Sequence, residues 1–135
     1  MSFFDILGVA GTGMSAQRIR ISSVSANLAN VNTTRTEDGG PYQRRDVVFK
    51  HILEGELAGG VKVTEVVKDE KPPILKYEPG HPDADEEGYV AFPNINPIEE
   101  MVNMLEASKS YEANATVLST AKQLAMKALT IGKAQ

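Results

Sequence analysis

The stretch MSAQRIRISSVSANLANV, residues 14–31, decides the fold of this chain. It contains neither glycine nor proline, and its apolar residues recur at the three- and four-residue steps of an α-helix. The pattern predicts a helix about 27 Å long with a broad apolar face. Two files of a heptad repeat run through it and upstream of it, one at Leu7, Met14, Ile21 and Leu28 and the other at Phe3, Ala10, Gln17, Val24 and Val31.

Just upstream, residues 8–15 (GVAGTGMS) have the glycine spacing of a phosphate-binding loop. That loop needs a lysine before its final Ser to neutralise phosphate charge, and Met14 occupies this position. Because the heptad gives Met14 a place in an apolar core, we interpret Met14 as a core residue and not as part of a nucleotide-binding site. Gly8, Gly11 and Gly13 each weaken a helix by up to ~1 kcal/mol relative to alanine, so a kink or break is expected there.

A second long helix is predicted from Pro97 to the end of the sequence. Pro97 suits a first helical turn, and Glu99 and Glu100 suit the positive end of the helix dipole. No glycine or proline follows until Gly132, so the helix is about 50 Å long if it is unbroken. Its main apolar stripe consists of Val117, Ala121, Leu124, Ala128 and Ile131, with Tyr111, Leu118 and Ala125 beside it and Ile98, Val102 and Leu105 upstream.

The middle of the chain has the alternation of β-strands. Residues 59–67 alternate valines with polar residues and predict a strand, and residues 72–79 predict a second, with a hairpin turn at 69–71. Residues 43–52 are a possible third strand. Residues 78–97, at the end of this middle region, contain four prolines and two glycines. This composition indicates an extended arm whose contacts lie outside its own small domain.

Composition excludes several classes of protein. The chain has no Cys, which removes disulfides, thiolate metal sites and thiol catalysis. No apolar run is long enough to span a bilayer. The first basic residue is Arg18, so the positively charged start of a secretory leader is missing, and we expect a chain that is cytoplasmic or exported without leader cleavage. Residues 51–100 carry four Lys/Arg against twelve Asp/Glu, which argues against nucleic-acid binding.

No catalytic site emerges from the sequence. His51 and His81 are the only imidazoles, and neither has the spacing of a nucleophile with its base. The acidic loop 81–88 can be aligned with a calcium-binding EF-hand loop, but the position of its bidentate carboxylate falls on Asn94. A calcium- or metal-dependent binding module remains the alternative function, whereas a solvated turn or a polar contact with a neighbour is favoured. No cofactor is predicted.

The two terminal helices are the part of the sequence that indicates a function. Each has more than one apolar file, and pairing the helices with each other would leave the second files in water. Such surfaces are covered by further copies or by partner proteins. We therefore predict a self-associating or co-assembling structural protein of the α+β class. The expected segments are two terminal helical ones, residues 1–35 and 98–135, and between them residues 36–97, a small antiparallel β region with an extended arm.

Several motifs in this order resemble the rod and hook proteins of the bacterial flagellum. Residues 15–36 contain the Ser-x-Asn-Leu-Ala-Asn core of the N-terminal motif of that family, at Ser25, Asn27, Leu28, Ala29 and Asn30. The segments that resemble the proximal rod members of the family more closely are GGPYQRR (39–45), PGHPDADEEGYVAFPNIN (79–96) and EEMVNMLEASKSYEANATV (99–117).

The resemblance implies a non-enzymatic subunit of the proximal rod, the drive shaft that transmits torque from the motor ring to the hook. It implies terminal helices paired in a coiled-coil layer around a central channel. The implied partners are other copies of the chain, other rod proteins, rod-base and membrane-ring proteins, and the flagellar type III export apparatus. The implied location is the basal body in the periplasmic space, reached without a cleaved signal peptide, with no nucleic acid bound and no membrane span.

The assembly interface is expected on both terminal helices and on the arm. Asn27 and Asn30 have two open interpretations, a cap on the end of the helix or a hydrogen bond between subunits. Tyr111 and Asn114 either set the register of a contact or lie on a solvated side of the helix. The full expected set is Met14, Ile21, Val24, Asn27, Leu28, Asn30, Val31, Tyr89, Tyr111, Asn114, Val117, Leu118, Leu124 and Ile131.

Overall fold

A computed structural model describes residues 2–53, 55 and 59–133. The fold class is α+β, as predicted, and residues 1, 134 and 135 of the predicted terminal segments lie outside the described residues. The elements are helix α1 (Phe3–Ala29), strands β1 (Arg45–His51), β2 (Val61–Lys68), β3 (Ile74–Tyr77) and β4 (Tyr89–Phe92), and helix α2 (Pro97–Lys133).

Helix α1 is continuous through all three glycines, so the predicted kink or break is wrong. It begins with a capping box in which the Ser2 hydroxyl accepts the Asp5 N–H at 3.4 Å and the Asp5 carboxylate accepts the Ser2 N–H at 2.5 Å. These bonds satisfy two backbone donors that a helix start otherwise leaves unpaired. The helix ends at Ala29, two residues before the predicted end.

The reason for the unbroken helix is visible at Gly13. A Cβ atom at this position would lie 2.9 Å from Nδ2 of Asn114 on α2, so the glycine allows the two helices to approach closely. Packing against α2 thereby offsets the weak helix propensity of the glycine. At Gly11, by contrast, a Cβ atom would have no described heavy atom within 4 Å beyond the helix backbone and the adjacent residues.

These two glycines make a matched pair for a stability measurement. We expect Gly13→Leu to lower the free energy of unfolding by about 1–3 kcal/mol, because the added side chain overpacks the helix contact. Gly11→Leu is the control, and it should leave the stability unchanged or raise it by up to ~1 kcal/mol, since leucine favours helix and the site is open. Urea unfolding of the purified chain would measure both, and equal losses would contradict the assignment.

The two helices run antiparallel and pack against each other. Asn27 near the end of α1 contacts Glu100 in the first turn of α2, and Gly13 contacts Asn114. Phe3 and Leu7 lie beside the stretch of α2 from Leu118 to Met126. Helix α2 then continues to Lys133, so about two turns extend past the described start of α1.

The strands form two separate two-stranded antiparallel sheets. β1 pairs with β2, with Arg45 opposite Lys68 and His51 opposite Val61, and both strands contact α1. The three predicted strands are therefore present, but the predicted hairpin between 59–67 and 72–79 is wrong. Pro72 and Pro73 follow the predicted turn and have no backbone N–H to donate, so the chain leaves the first sheet there.

β3 pairs with β4, which lies inside the segment predicted to be an extended arm. The register places Ile74 opposite Phe92 and Tyr77 opposite Tyr89. Val90 is completely buried and Phe92 is buried, so the segment packs within its own chain. The prediction that the contacts of residues 78–97 lie outside their own small domain is therefore wrong, since β4 pairs with β3 of the same region. The sequence did not reveal this short strand because prolines and glycines surround it.

Candidate assembly interface

A buried polar junction built around Asn27 joins α1 to the rest of the chain. The Asn27 side chain is 0% exposed and makes four hydrogen bonds. Its Oδ1 accepts the Arg45 N–H at 2.8 Å and the Tyr42 hydroxyl at 3.1 Å. Its Nδ2 donates to the Arg45 carbonyl and to Glu100 Oε2, both at 2.9 Å. The amide therefore uses its full donor and acceptor capacity inside the protein.

Glu100 extends this junction to α2. It is 1% exposed, and its Oε1 accepts from Arg44 Nε at 2.6 Å. Burial by itself would lower the pKa of Arg44, but hydrogen bonds to Glu100 and Asp46 outweigh burial and raise the pKa above its ordinary value. The carboxylate is thus paired and hydrogen-bonded, which a buried charge requires.

Tyr42 completes the junction from the segment between α1 and β1. Burial raises the pKa of its phenol, nearby Arg45 acts in the opposite direction, and Glu100 adds to the increase. The hydroxyl therefore stays protonated at neutral pH and remains a donor to Asn27. One asparagine, one tyrosine and one ion pair fix the relative positions of α1, β1 and α2.

Asn30 has a different role in the same motif. Its backbone N–H and its side-chain Nδ2 both reach the Ala26 carbonyl, the latter at 2.8 Å, so it caps the end of α1. Its φ of −106° lies outside the left-handed region. Thr33 adds a hydrogen bond from its hydroxyl to Asn30 Oδ1 at 3.1 Å. The capping interpretation therefore describes Asn30, whereas Asn27 binds the sheet and α2.

The acidic loop 81–88 makes contacts within the chain. Asp83 accepts from the Thr34 hydroxyl at 2.7 Å and pairs with Arg35. Asp85 Oδ1 accepts the backbone N–H groups of Glu87 and Tyr89. The residues that the structure describes contain no group of three or more acidic, His or Cys side chains arranged to hold a metal ion. The metal-binding alternative is therefore unsupported.

The expected interface residues differ in how far they are exposed. Some of them are partly or fully buried, and others are exposed on α2 and on β4. The partly or fully buried set is Met14, Ile21, Val24, Asn27, Leu28, Asn30, Val31, Tyr111, Asn114 and Leu118. The exposed set is Tyr89, Val117, Leu124 and Ile131, of which Leu124 is 61% and Ile131 is 72% exposed. Their part in assembly stays a prediction.

The exposed apolar surface is larger than the sequence-based set. Ile98, Met101, Val102 and Leu105 lie at i, i+3, i+4 and i+7 on α2 and are between 50% and 72% exposed. The three- and four-residue spacing had already placed Ile98, Val102 and Leu105 on the apolar face of this helix, and Met101 joins them. Glu100, Tyr42 and Arg44 were missed as a group, since no local pattern connects them.

An apolar groove lies between the start of α1 and the second half of α2. It has a volume of about 470 Å³. Its lining residues are Phe3, Leu7, Leu118, Ser119, Lys122, Ala125 and Met126. Among the described helices, none is long and apolar enough to cross a membrane.

Known protein families match both ends of the chain. The family described as "Flagella basal body rod protein" matches residues 7–35, and "Flagellar basal body rod FlgEFG protein C-terminal" matches residues 86–131.

Curated relatives match over nearly their full length. The flagellar basal-body rod protein FlgC of Borreliella burgdorferi is 43% identical over 149 residues, covering 97% of this chain and 98% of that protein. The FlgC proteins of Escherichia coli O6:H1 and Bacillus subtilis are 42% and 40% identical, each covering 98% of this chain and 100% of the relative. The chain therefore belongs to the FlgC family of flagellar basal-body rod proteins and is a structural rod subunit, not an enzyme.

Proposed function

We propose that this subunit builds its layer of the proximal rod by pairing α1 and α2 as an antiparallel coiled coil, with neighbouring subunits covering the apolar sides that the pair leaves exposed. In that position the subunit transmits torque from the motor ring towards the hook. The observation that carries the proposal is the exposure of large apolar side chains on α2, at Val117, Leu124 and Ile131.

The inner side of the pair supports the coiled-coil geometry. The α2 residues that face α1 follow alternating steps of four and three and are all buried or half-buried, in agreement with a heptad seam. They are Glu100, Met104, Ala107, Tyr111, Asn114, Leu118, Ala121 and Ala125. On α1 the two predicted files, from Phe3 to Leu28, are likewise buried or half-buried. The apolar residues between α1 and α2 are therefore buried within the chain, and the outer apolar residues of the helices remain available to neighbouring subunits.

We propose as partners other copies of the chain, other rod proteins, rod-base and membrane-ring proteins, and the flagellar type III export apparatus. The site of action is the periplasmic part of the basal body, which the chain reaches without a cleaved signal peptide. The support is the full-length similarity to proteins named as basal-body rod subunits. The chain also has no disulfide to reduce before it passes unfolded through an export channel.

The role of the exposed apolar residues of α2 in assembly can be tested without disturbing the fold. We expect the double variant Leu124→Asp and Ile131→Asp to fold normally as a free chain, since both side chains are exposed. It should fail to support rod assembly, because two carboxylates would be buried against an apolar neighbour at a cost of several kcal/mol. The measurement is motility and the yield of intact basal bodies in a strain that lacks its own FlgC.

The matched control is Gln123→Asp with Thr130→Asp, which adds the same charges at exposed positions one residue away. This control should retain motility. Detection of both variants outside the cytoplasm would establish that export is unaffected. Normal motility of the Leu124 and Ile131 variant, at normal expression, would contradict the proposed coverage of α2 by neighbours.

A further inference from the structure

Gln17 is the one polar residue in the two apolar files predicted for α1. Its neighbours in the same file, Ala10 and Val24, are 4% and 5% exposed, so this file is buried in the folded chain. The Gln17 side chain is half-buried, and its amide oxygen is buried without a hydrogen bond from any described residue. A buried acceptor without a partner lowers the stability of the folded state, so stability does not explain why glutamine occupies this position.

Gln17 faces the middle of α2, where the inner side of that helix is polar. Gly13, one turn earlier, lies against Asn114, and Arg20, three residues later, pairs with Glu106 at 3.7 Å. The part of α2 opposite Gln17 therefore lies between Glu106 and Asn114. The half-buried residues of this stretch all have polar groups, and they are Ser108, Ser110, Tyr111 and Asn114.

The exposed side of α2 offers no such groups at Val117, Leu124 and Ile131. These three side chains lie at seven-residue intervals and are 46%, 61% and 72% exposed. Because a seven-residue apolar repeat is the spacing that pairs helices, this side of one free copy can compete for the apolar files of α1 of another copy. In that wrong pair, the whole Gln17 amide would leave water and meet only apolar side chains, which is unfavourable.

We infer that Gln17 is a specificity-determining residue, which disfavours pairing of α1 with the exposed apolar side of α2 of a second copy before the rod assembles. The unpaired amide oxygen lowers the stability of the correct helix pair, and the fully unpaired amide lowers that of the wrong pair further. A single polar residue among apolar heptad positions selects helix partners in this way, at a cost in stability. The inference rests on the proposed function, since the competing surface is the one proposed to be covered by neighbours in the rod.

The substitution Gln17→Met tests the inference on the purified chain, because methionine has a similar length and shape but no amide. We expect the urea midpoint of unfolding to rise, since the unpaired acceptor is removed. We also expect self-association to become about tenfold tighter, because the wrong pair no longer buries an amide. Urea unfolding and sedimentation equilibrium measure the two effects. Met14→Leu, which exchanges one apolar residue for another in the neighbouring file, is the control and should leave self-association unchanged.

A combined variant identifies the competing surface. Adding Leu124→Asp and Ile131→Asp to Gln17→Met should abolish the new self-association, whereas adding Gln123→Asp and Thr130→Asp should not. Gln17→Leu, a second apolar variant, should behave as Gln17→Met does.

Three results would overturn the inference. They are a urea midpoint of both Gln17 variants no higher than that of the natural chain, self-association no tighter than that of the natural chain, and self-association that persists with Asp at residues 124 and 131. If the Gln17 variants stayed monomeric while the Leu124 and Ile131 variant failed to support motility, the proposed function would stand without this inference.

Discussion

Replacing Asn27 with alanine should lower the free energy of unfolding by about 3–5 kcal/mol, the largest effect we expect from a single substitution. The substitution removes four hydrogen bonds at a position that is 0% exposed. It takes the Asn27 partner from the Arg45 N–H, the Tyr42 hydroxyl and one oxygen of the buried Glu100 carboxylate, whereas the Arg45 carbonyl keeps its hydrogen bond from the Ser23 hydroxyl. Since small domains have a total stability of about 5–15 kcal/mol, this loss is a large fraction of the total.

Asn30→Ala is the matched control, because it changes the same residue type three positions later in the same motif. It removes a half-buried cap and should cost only about 1 kcal/mol. Asn27→Asp is a second informative variant, since it keeps the shape of the side chain but places a carboxylate oxygen against Glu100. Urea unfolding of all three would measure the differences. A loss for Asn27→Ala no greater than that for Asn30→Ala would show that the junction does not hold α1 to α2.

The helices were predictable because their signal is local. A heptad of apolar residues and a long run without glycine or proline suffice to place the end of α1 and the start of α2 within a few residues of their observed positions. The predicted break at the glycines failed for a non-local reason. The residue that explains Gly13 is Asn114 on the other helix, and nothing near Gly13 in the sequence reveals that contact.

The strands were predictable as segments but their partners were not. Alternating valines identify β2, yet alternation does not say which strand lies beside it. β4 was missed because a four-residue strand flanked by Gly88 and Pro93 resembles a loop in composition. Its neighbour across the sheet, β3, supplies the hydrogen bonds that make it a strand.

The partners of single side chains in the buried junction were likewise not predictable from the sequence. The sequence pointed to Asn27 through its motif, but the partners of Asn27 lie 15, 18 and 73 residues away. Glu100 was interpreted as a favourable first-turn charge, which is compatible with its position but misses its burial. The exposed apolar residues were easier to anticipate, because a helix with apolar residues on several sides cannot bury all of them against one partner helix.

The second large effect concerns the free chain, where the end of α2 should exchange its amide hydrogens almost without protection. From residue 127 to residue 132 every residue of α2 is exposed, and the apolar side chains of Leu129 and Ile131 are 62% and 72% exposed. A few helical turns without packing are marginal in water, so local opening there requires little free energy. Near Glu100 and Ala107, both almost completely buried, opening should require most of the global unfolding free energy.

Assembly should reverse this contrast within α2. If neighbouring subunits cover Leu124 and Ile131, the amides beyond residue 126 gain about 100-fold or more in protection, because opening would then expose a packed interface. The amides near Ala107 are already protected in the free chain and should gain far less, so they serve as the internal control. Hydrogen exchange read by mass spectrometry, on purified chain and on isolated rods, measures both regions in one experiment. Equal protection of residues 127–132 in the two states would mean that α2 ends outside the packed layer, and that subunit contacts lie nearer to the buried junction.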